Sequence, residues 1–303
     1  MHGESAHAVW AESPLQLLGA AEWAAATGTR PDVAYRVTGP EMAATVSRLE
    51  REGAPFASCV PYLGIPWSLL AGARTWAVGD ALSGQFRLAS AVLRPRELVL
   101  LDDGAQALHL AAAITGAAPY ARPGVPESRL ARDLGALAGA RLERLMARGR
   151  LHAFTMYADR APVAELARRG AGVTGHRFAW LRSVRDAPIL ELPGARVLLG
   201  SALSVDGRLA QEAYLGWIGL LASEGELAYL PHRREPRALR EAVAGIPGVI
   251  RLASELPVEL ALAGAREPLE VHALPTSALS SLALVLEGSG SRLRPTPLEA
   301  LRA

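Results

Sequence analysis

Leu98-Val99-Leu100-Leu101-Asp102-Asp103-Gly104 is an apolar run that ends on two adjacent carboxylates and a glycine. Strands buried on both faces of a parallel sheet read as unbroken Val/Leu runs, and ligands of open α/β sheets gather at the carboxyl ends of such strands. The stretch therefore predicts a buried strand that delivers Asp102 and Asp103 to a cleft, and with it an α/β fold. A helix cap ahead of Ala105 is the competing reading of the acid pair.

Working outward, apolar periodicity predicts strands at 7–11, 32–37, 56–61 and 97–101. Helices are expected at 14–26, 41–52 and 105–115, with a helix-rich stretch over 67–93. Strands that alternate with helices in this way build a parallel sheet. Between Gly116 and Pro126 the composition turns to Gly, Pro and Ala, and an Arg-rich helix over 128–149 follows, which reads as a helical insertion at about 117–150. Further strands are expected at 151–156, 189–192, 196–200, 226–230, 249–252 and 269–273. Helices at 208–223, 236–244, 257–262 and 277–286 complete the pattern. Two α/β halves, 1–180 and 181–303, fit it better than one long sheet.

Composition narrows the function classes. The chain has 303 residues, half of them hydrophobic and a fifth charged, as in a folded globular protein with room for two domains. Every one of its 32 basic residues is Arg, a bias that fits a GC-rich genome, and 30 acids leave a net charge of only +2. With no basic run interleaved with aromatics, nucleic acid is not expected as a partner. Cys59 is the only cysteine, so neither a disulfide framework nor a cysteine-rich metal site is expected. The opening residues Met1 to His7 lack the basic-then-apolar pattern of a secretory signal, and no uninterrupted apolar run reaches about 18 residues. A bacterial cytoplasmic protein is expected, with room for a peripheral seat on the inner membrane.

Three further junctions carry polar groups. Tyr229-Leu230-Pro231-His232-Arg233-Arg234-Glu235 starts as a strand and ends in groups that can neutralise a phosphate. Leu274-Pro275-Thr276-Ser277 leads into a helix whose N-terminus presents free N–H groups to an anion. Glu12-Ser13-Pro14-Leu15-Gln16 sits at the first strand-to-helix turn, where Ser13 can cap and Pro14 suits the first helical position. Each has a plainer reading, Ser13 and Ser277 as caps and His232 with its arginines as a solvated turn. The other histidines, including His176, lack ligand spacing and read as structural.

Taken in order, these segments resemble the bacterial sialyltransferases, particularly the lipooligosaccharide sialyltransferase and polysialyltransferase-like families. Glu12-Ser13-Pro14-Leu15-Gln16 is similar to the Ser/Thr-Pro-x-Gln-Leu segment, and Asp102-Asp103-Gly104 to the Asp/Glu-Asp/Glu-Gly motif. His232-Arg233-Arg234-Glu235 is similar to the His-Pro-x-Glu motif, with Arg233 in place of the proline, and Thr276-Ser277 to the paired hydroxyls. Gly200-Ser201 resembles the approach to the nucleotide domain.

The resemblance implies a GT-B-like fold, two Rossmann-like domains facing across a deep cleft, with the acceptor on the first and the nucleotide sugar on the second. It implies an inverting transfer of sialic acid or a related nonulosonic acid from its CMP-activated donor to a glycan or other hydroxyl acceptor, without a cofactor or metal. Asp103 would be the general base, with Asp102 orienting, and His232 would meet the departing phosphate. Donor contacts would come from Thr276, Ser277, Glu235, Arg233, Arg234, Pro231, Gly200 and Ser201, acceptor contacts from Ser13, Pro14, Gln16 and Gly104. A homodimer is compatible with it. The alternatives are CMP-Kdo or another nucleotide sugar as donor, Mg²⁺ on the Asp102-Asp103 pair, and a non-catalytic glycan- or nucleotide-binding relative.

Overall fold

The computed structural model describes residues 6–184 and 190–301. The chain divides into two compact units, Met1–Trp180 and Leu181–Ala303. In unit 1 the order is β1 (His7–Ala11), α1 (Pro14–Thr27), β2 (Asp32–Arg36), α2 (Pro40–Arg51), β3 (Ser58–Tyr62) and α3 (Trp67–Gly72). There follow β4 (Thr75–Val78), α4 (Gly84–Leu93), β5 (Glu97–Leu101), α5 (Gln106–Ile114) and α6 (Arg129–Ala147). The unit closes with β6 (Leu151–Thr155), α7 (Ala161–Arg168), β7 (Gly172–Gly175) and the short α8 (Ala179–Ser183), which runs across the division.

These strands form one all-parallel sheet in the order β3-β2-β1-β4-β5-β6-β7. β4 is buried throughout, β1 and β5 in all but their first residue, whereas β3 at one edge and β7 at the other are largely open. This is why Val99, Leu100 and Leu101 stand in an unbroken apolar run: they fill the centre of a sheet covered on both faces.

One central strand was not expected from sequence. β4 lies inside the stretch read as helix-rich, because four residues, Thr75-Trp76-Ala77-Val78, are too short a run to separate strand from helix by periodicity. Trp76 is 1% exposed and donates its indole N–H to the Leu70 carbonyl at 2.9 Å, so the strand is fixed by what surrounds it. α7 and β7 were likewise unforeseen. The Arg-rich helix at 128–149 appears as α6, and Leu142, Leu145 and Met146 carry it into the core with Leu98 and Leu100.

Unit 2 contains β8 (Arg196–Leu199), α9 (Gln211–Ser223), β9 (Leu227–Leu230), α10 (Arg237–Ala244) and β10 (Val249–Arg251). α11 (Val258–Leu262), β11 (Glu270–Ala273), α12 (Ala278–Val285), β12 (Arg292–Pro295) and a 3-10 turn (Leu298–Leu301) follow. Its sheet, also all parallel, has the order β10-β9-β8-β11-β12. Val197, Leu199, Leu230, Val271 and Leu282 meet in one core cluster, and Tyr214, Ile218 and Tyr229 in another.

Three expectations need correction here. The strand expected at 189–192 is absent over 190–192, where Pro193 and Gly194 follow directly and Leu190 and Leu192 pack on the core as loop residues; residue 189 lies outside the described residues. The helix expected from residue 208 begins at Gln211, because residues 202–209 close into turns through Asp206 N–H to Ala202 O (2.8 Å) and Arg208 N–H to Leu203 O (2.9 Å). β12 went unforeseen because an edge strand of Arg-Leu-Arg-Pro buries little apolar surface.

Candidate functional sites at the carboxyl edges of the two sheets

In unit 1 the strand order reverses between β1 and β4, and the crevice at the carboxyl ends of such a pair is where open α/β sheets bind ligands. Ser13, in extended backbone just past β1, accepts the Gln16 N–H as the N-cap of α1, and its hydroxyl donates to Asp103 Oδ1 at 3.0 Å. A single hydroxyl thus joins the end of β1 to the turn after β5. Pro14 is buried at the first helical position.

Gln16 does not line the crevice. It is 1% exposed, its amide oxygen accepts the Glu12 N–H at 2.7 Å, and its side chain lies where a Cβ on Gly79 would fall, 2.0 Å from that position. The expectation that Gln16 touches an acceptor is therefore replaced by a packing role, in which Gly79 leaves the room that Gln16 fills.

Asp102 and Asp103 diverge completely in environment. Asp102 is 2% exposed, and its carboxylate accepts hydrogen bonds from the Thr155 hydroxyl at 2.5 Å, from Met156 N–H at 2.6 Å and from His176 Nε2 at 3.1 Å. Those donors stand at the ends of β6 and β7, so this one carboxylate ties three neighbouring strands together. Asp103 is half-buried, and among the described residues its carboxylate takes only the Ser13 hydrogen bond. Gly104, buried at φ +60, turns the chain towards α5 in a conformation that a side chain would strain. α5 receives no side-chain cap, which removes the reading of the acid pair as a helix cap.

Asp80, Arg122 and Arg36, which sequence reading passed over, join this edge together with Glu12. Asp80, two residues beyond β4, pairs with Arg122 and accepts the Leu82 N–H at 3.1 Å. Burial pushes its carboxyl above the usual range; Arg122 opposes this and the nearby Asp103 adds to it. Glu12 is raised as well, by burial first and Asp80 second, although Arg36 stands 3.5 Å away and Tyr62 donates to it at 3.2 Å. Glu12, Arg36, Ser83, Gln85, Leu88 and Arg122 border an open cavity of about 470 Å³. The signal available in sequence was the same one that exposed Asp102, an apolar run closing on an acid, here Trp76-Ala77-Val78-Gly79-Asp80.

Unit 2 repeats the scheme with different chemistry. β8 and β11 form its switch point, and β9 flanks β8. Glu235 is 2% exposed and is saturated: Oε1 accepts from Ser201 N–H (2.9 Å) and the Tyr214 hydroxyl (3.0 Å), Oε2 from His232 N–H (3.0 Å) and the Tyr229 hydroxyl. A carboxylate with four donors has no room left for a ribose, so the expected donor contact of Glu235 is corrected to a clamp between the ends of β8 and β9. Ser201, 9% exposed, spends its N–H on that clamp, and its hydroxyl accepts from Leu203 N–H at 3.2 Å. Gly200 is needed because a Cβ there would lie 2.3 Å from His232 N and 2.9 Å from Glu235 Oε2. These two residues, read from sequence as donor contacts, hold the turn.

His232, half-buried beside Pro231, accepts the Arg234 N–H on Nδ1 at 3.2 Å, which leaves Nε2 as the N–H donor of a neutral ring. Burial, then the positive Arg233 and Arg234, pushes the imidazole below its ordinary range, and Asp206 acts weakly against them. Arg234 is held by Asp206, while Arg233 is exposed. Thr276 and Ser277 are exposed ahead of α12, whose first turn has no side-chain cap beyond a 3.4 Å contact from Ala278 N–H to the Thr276 hydroxyl. At the opposite, amino edge of this sheet lies a cavity of about 420 Å³, lined by Leu192, Ala195, Arg266 and Leu269.

Among the described residues no group of three or more His, Cys, Asp or Glu side chains is placed to hold a metal ion, and no helix is long and apolar enough to cross a membrane. The fold and these edges define a protein of two Rossmann-like α/β units, each carrying polar side chains at the carboxyl ends of a parallel sheet. No protein-family model matches the chain, and no curated protein matches it in sequence. Among solved structures it is similar to the crystal structure of the glycotransferase of kitacinnamycin, with 14% identity over 97% of this chain and 81% of that one and a TM-score of 0.40.

Proposed function

We propose that the protein is a glycosyltransferase of the GT-B-like kind that moves sialic acid or a related nonulosonic acid from CMP to a hydroxyl acceptor, with inversion. Unit 1 takes the acceptor and unit 2 the nucleotide. The observation that carries this reading is the division of labour at Asp102-Asp103: one carboxylate is buried and fully engaged, and its neighbour is accessible and held by a single hydroxyl.

Asp103 draws the proton from the acceptor hydroxyl while that oxygen bonds to the anomeric carbon. The bond from that carbon to the CMP phosphate oxygen breaks, and CMP leaves with the electron pair. Ser13 keeps Oδ1 of Asp103 occupied and leaves Oδ2 for the acceptor proton. On the donor side, the Nε2–H of the neutral His232, the Thr276 and Ser277 hydroxyls and the open first turn of α12 supply donors for charge growing on the phosphate. Arg233 supplies a charge for the donor carboxylate.

Thermal shifts with a nucleotide panel, followed by a transfer assay with CMP-sialic acid, test the reading. CMP and CDP are expected to raise the Tm, by preferential binding to the native state. Selective stabilisation by UDP or GDP would overturn the donor, and stabilisation by CMP without any turnover would favour a non-catalytic nucleotide-binding protein. Wild-type turnover retained in both Asp103→Asn and His232→Ala would remove the assigned mechanism.

A further inference from the structure

The geometry points to His176 as a positioning residue that, through Asp102, sets the orientation of the Asp103 base. This rests on the proposed role of Asp103. His176 continues β7 by one residue, its N–H bonding the Thr155 carbonyl at 3.1 Å. The ring is stacked on Phe154, with centroids 4.7 Å apart and planes 4° from parallel, and meets Phe178 edge-on at 4.8 Å. Its side chain is 5% exposed.

Within that aromatic sandwich an imidazole is an awkward choice. Nδ1 is buried without a hydrogen-bond partner, a penalty that a phenyl or leucine side chain would avoid while filling the same space. What the imidazole adds is the contact on its other nitrogen, 3.1 Å from Asp102 Oδ2. A carboxylate only accepts, so Nε2 bears the hydrogen and Nδ1 is left as the bare lone pair, which costs less to bury than an unpaired charged donor.

The consequence falls on the next residue. Thr155 holds Oδ1 of Asp102, while Met156 N–H and His176 share Oδ2, so three directions fix the plane of the carboxylate. Asp103 follows directly, and Gly104 then reverses the chain, so the direction in which Asp103 leaves the backbone is set by how Asp102 is held. Removing the imidazole donor frees Oδ2 from one of its two partners and loosens the turn that brings Asp103 to Ser13. At metal sites, partners that orient a functional side chain through a hydrogen bond in this indirect way are worth about 10–100-fold in affinity or activity, and an effect of that order is expected here.

The first test uses the wild-type protein: long-range ¹⁵N–¹H correlations of the histidine rings should give His176 as the neutral Nε2–H tautomer, and an Nδ1–H tautomer would overturn the proposal. The second uses His176→Phe, which keeps the ring stack and removes the donor, beside His176→Gln, whose amide can restore a donor to Asp102. Expected are a fall in kcat of about 10–100-fold for the Phe variant with an unchanged donor KM, and recovery to within about 5-fold for the Gln variant. Wild-type kcat in the Phe variant, or a loss not recovered by Gln, would refute the positioning role. A crystal structure of His176→Phe separates this from the transferase reading. An unmoved Asp103 still bonded to Ser13 refutes the positioning role alone, whereas a displaced Asp103 in a protein whose wild type transfers no sugar refutes the transferase alone.

Discussion

The carboxyl edges of the two units solve one problem with different partners. Each buries a carboxylate at 2% exposure and surrounds it with donors from adjoining strand ends, Asp102 in unit 1 and Glu235 in unit 2. Close by, each leaves a half-buried titratable side chain, Asp103 or His232. The difference lies in the donors. Asp102 is held by a hydroxyl, an amide and an imidazole, whereas Glu235 is held by two amides and two phenols that burial drives far above the pH range of life. Unit 2 thus builds its clamp with phenols, and unit 1 builds its own with an imidazole. Adjacent acids in sequence need not share a role; burial assigns it.

Asp103→Asn should produce the largest effect, because it removes the proposed base and leaves the clamp intact: transfer is expected to fall by about 10³-fold with the urea midpoint unchanged. Asp102→Asn reverses the weighting, losing less activity and more stability, since an amide presents N–H groups where Met156 N–H and His176 need an acceptor. Equal activity losses in the two variants would break the distinction between base and clamp.

Glu235→Ala leaves two amides and two phenols without their acceptor inside unit 2, which should cost about 3–5 kcal/mol in urea unfolding. A loss under about 1 kcal/mol would mean that the clamp is not built as described. Glu235→Gln is expected to fall between the two, because Oε1 can still serve Ser201 and Tyr214 while an amide nitrogen faces His232 N–H.

A smaller effect should follow pH. His232 has its folded pKa depressed below the ordinary 6.5, so the unfolded chain takes up a proton first as the pH falls. Its contribution to stability is complete above the unfolded value and declines as the pH drops from there towards the folded value. His232→Gln should flatten that part of the profile when urea midpoints are compared between about pH 7.5 and about pH 5; a steeper slope in the variant would contradict the depressed pKa. Smallest of all, Arg234→Ala breaks an exposed pair with Asp206 and should change stability by about 1 kcal/mol or less. A larger loss would make Arg234 part of the clamp.

Much of the architecture could be read in the chain because buried parallel strands are composed differently from everything around them. β1, β5 and β9 announced themselves as apolar runs with chemistry at their carboxyl ends. β4 did not, because four residues carry no period, and Asp80 was hidden with it. His176 was set aside because its partner lies 74 residues earlier, a separation that spacing rules cannot bridge. Glu235 was expected at a ligand because the resemblance implied a donor contact there, and sequence cannot show four donors already folded onto it.

By itself, then, the sequence determined that long apolar runs such as β1, β5 and β9 become strands and that acids and a histidine end up at their carboxyl ends. Those outcomes depend on local propensity and on the burial of apolar runs, which neighbouring residues encode. Only the tertiary structure decided which of those polar groups became struts and which stayed accessible. A carboxylate's role depends on the donors and the water around it, and packing brings those together from distant parts of the chain.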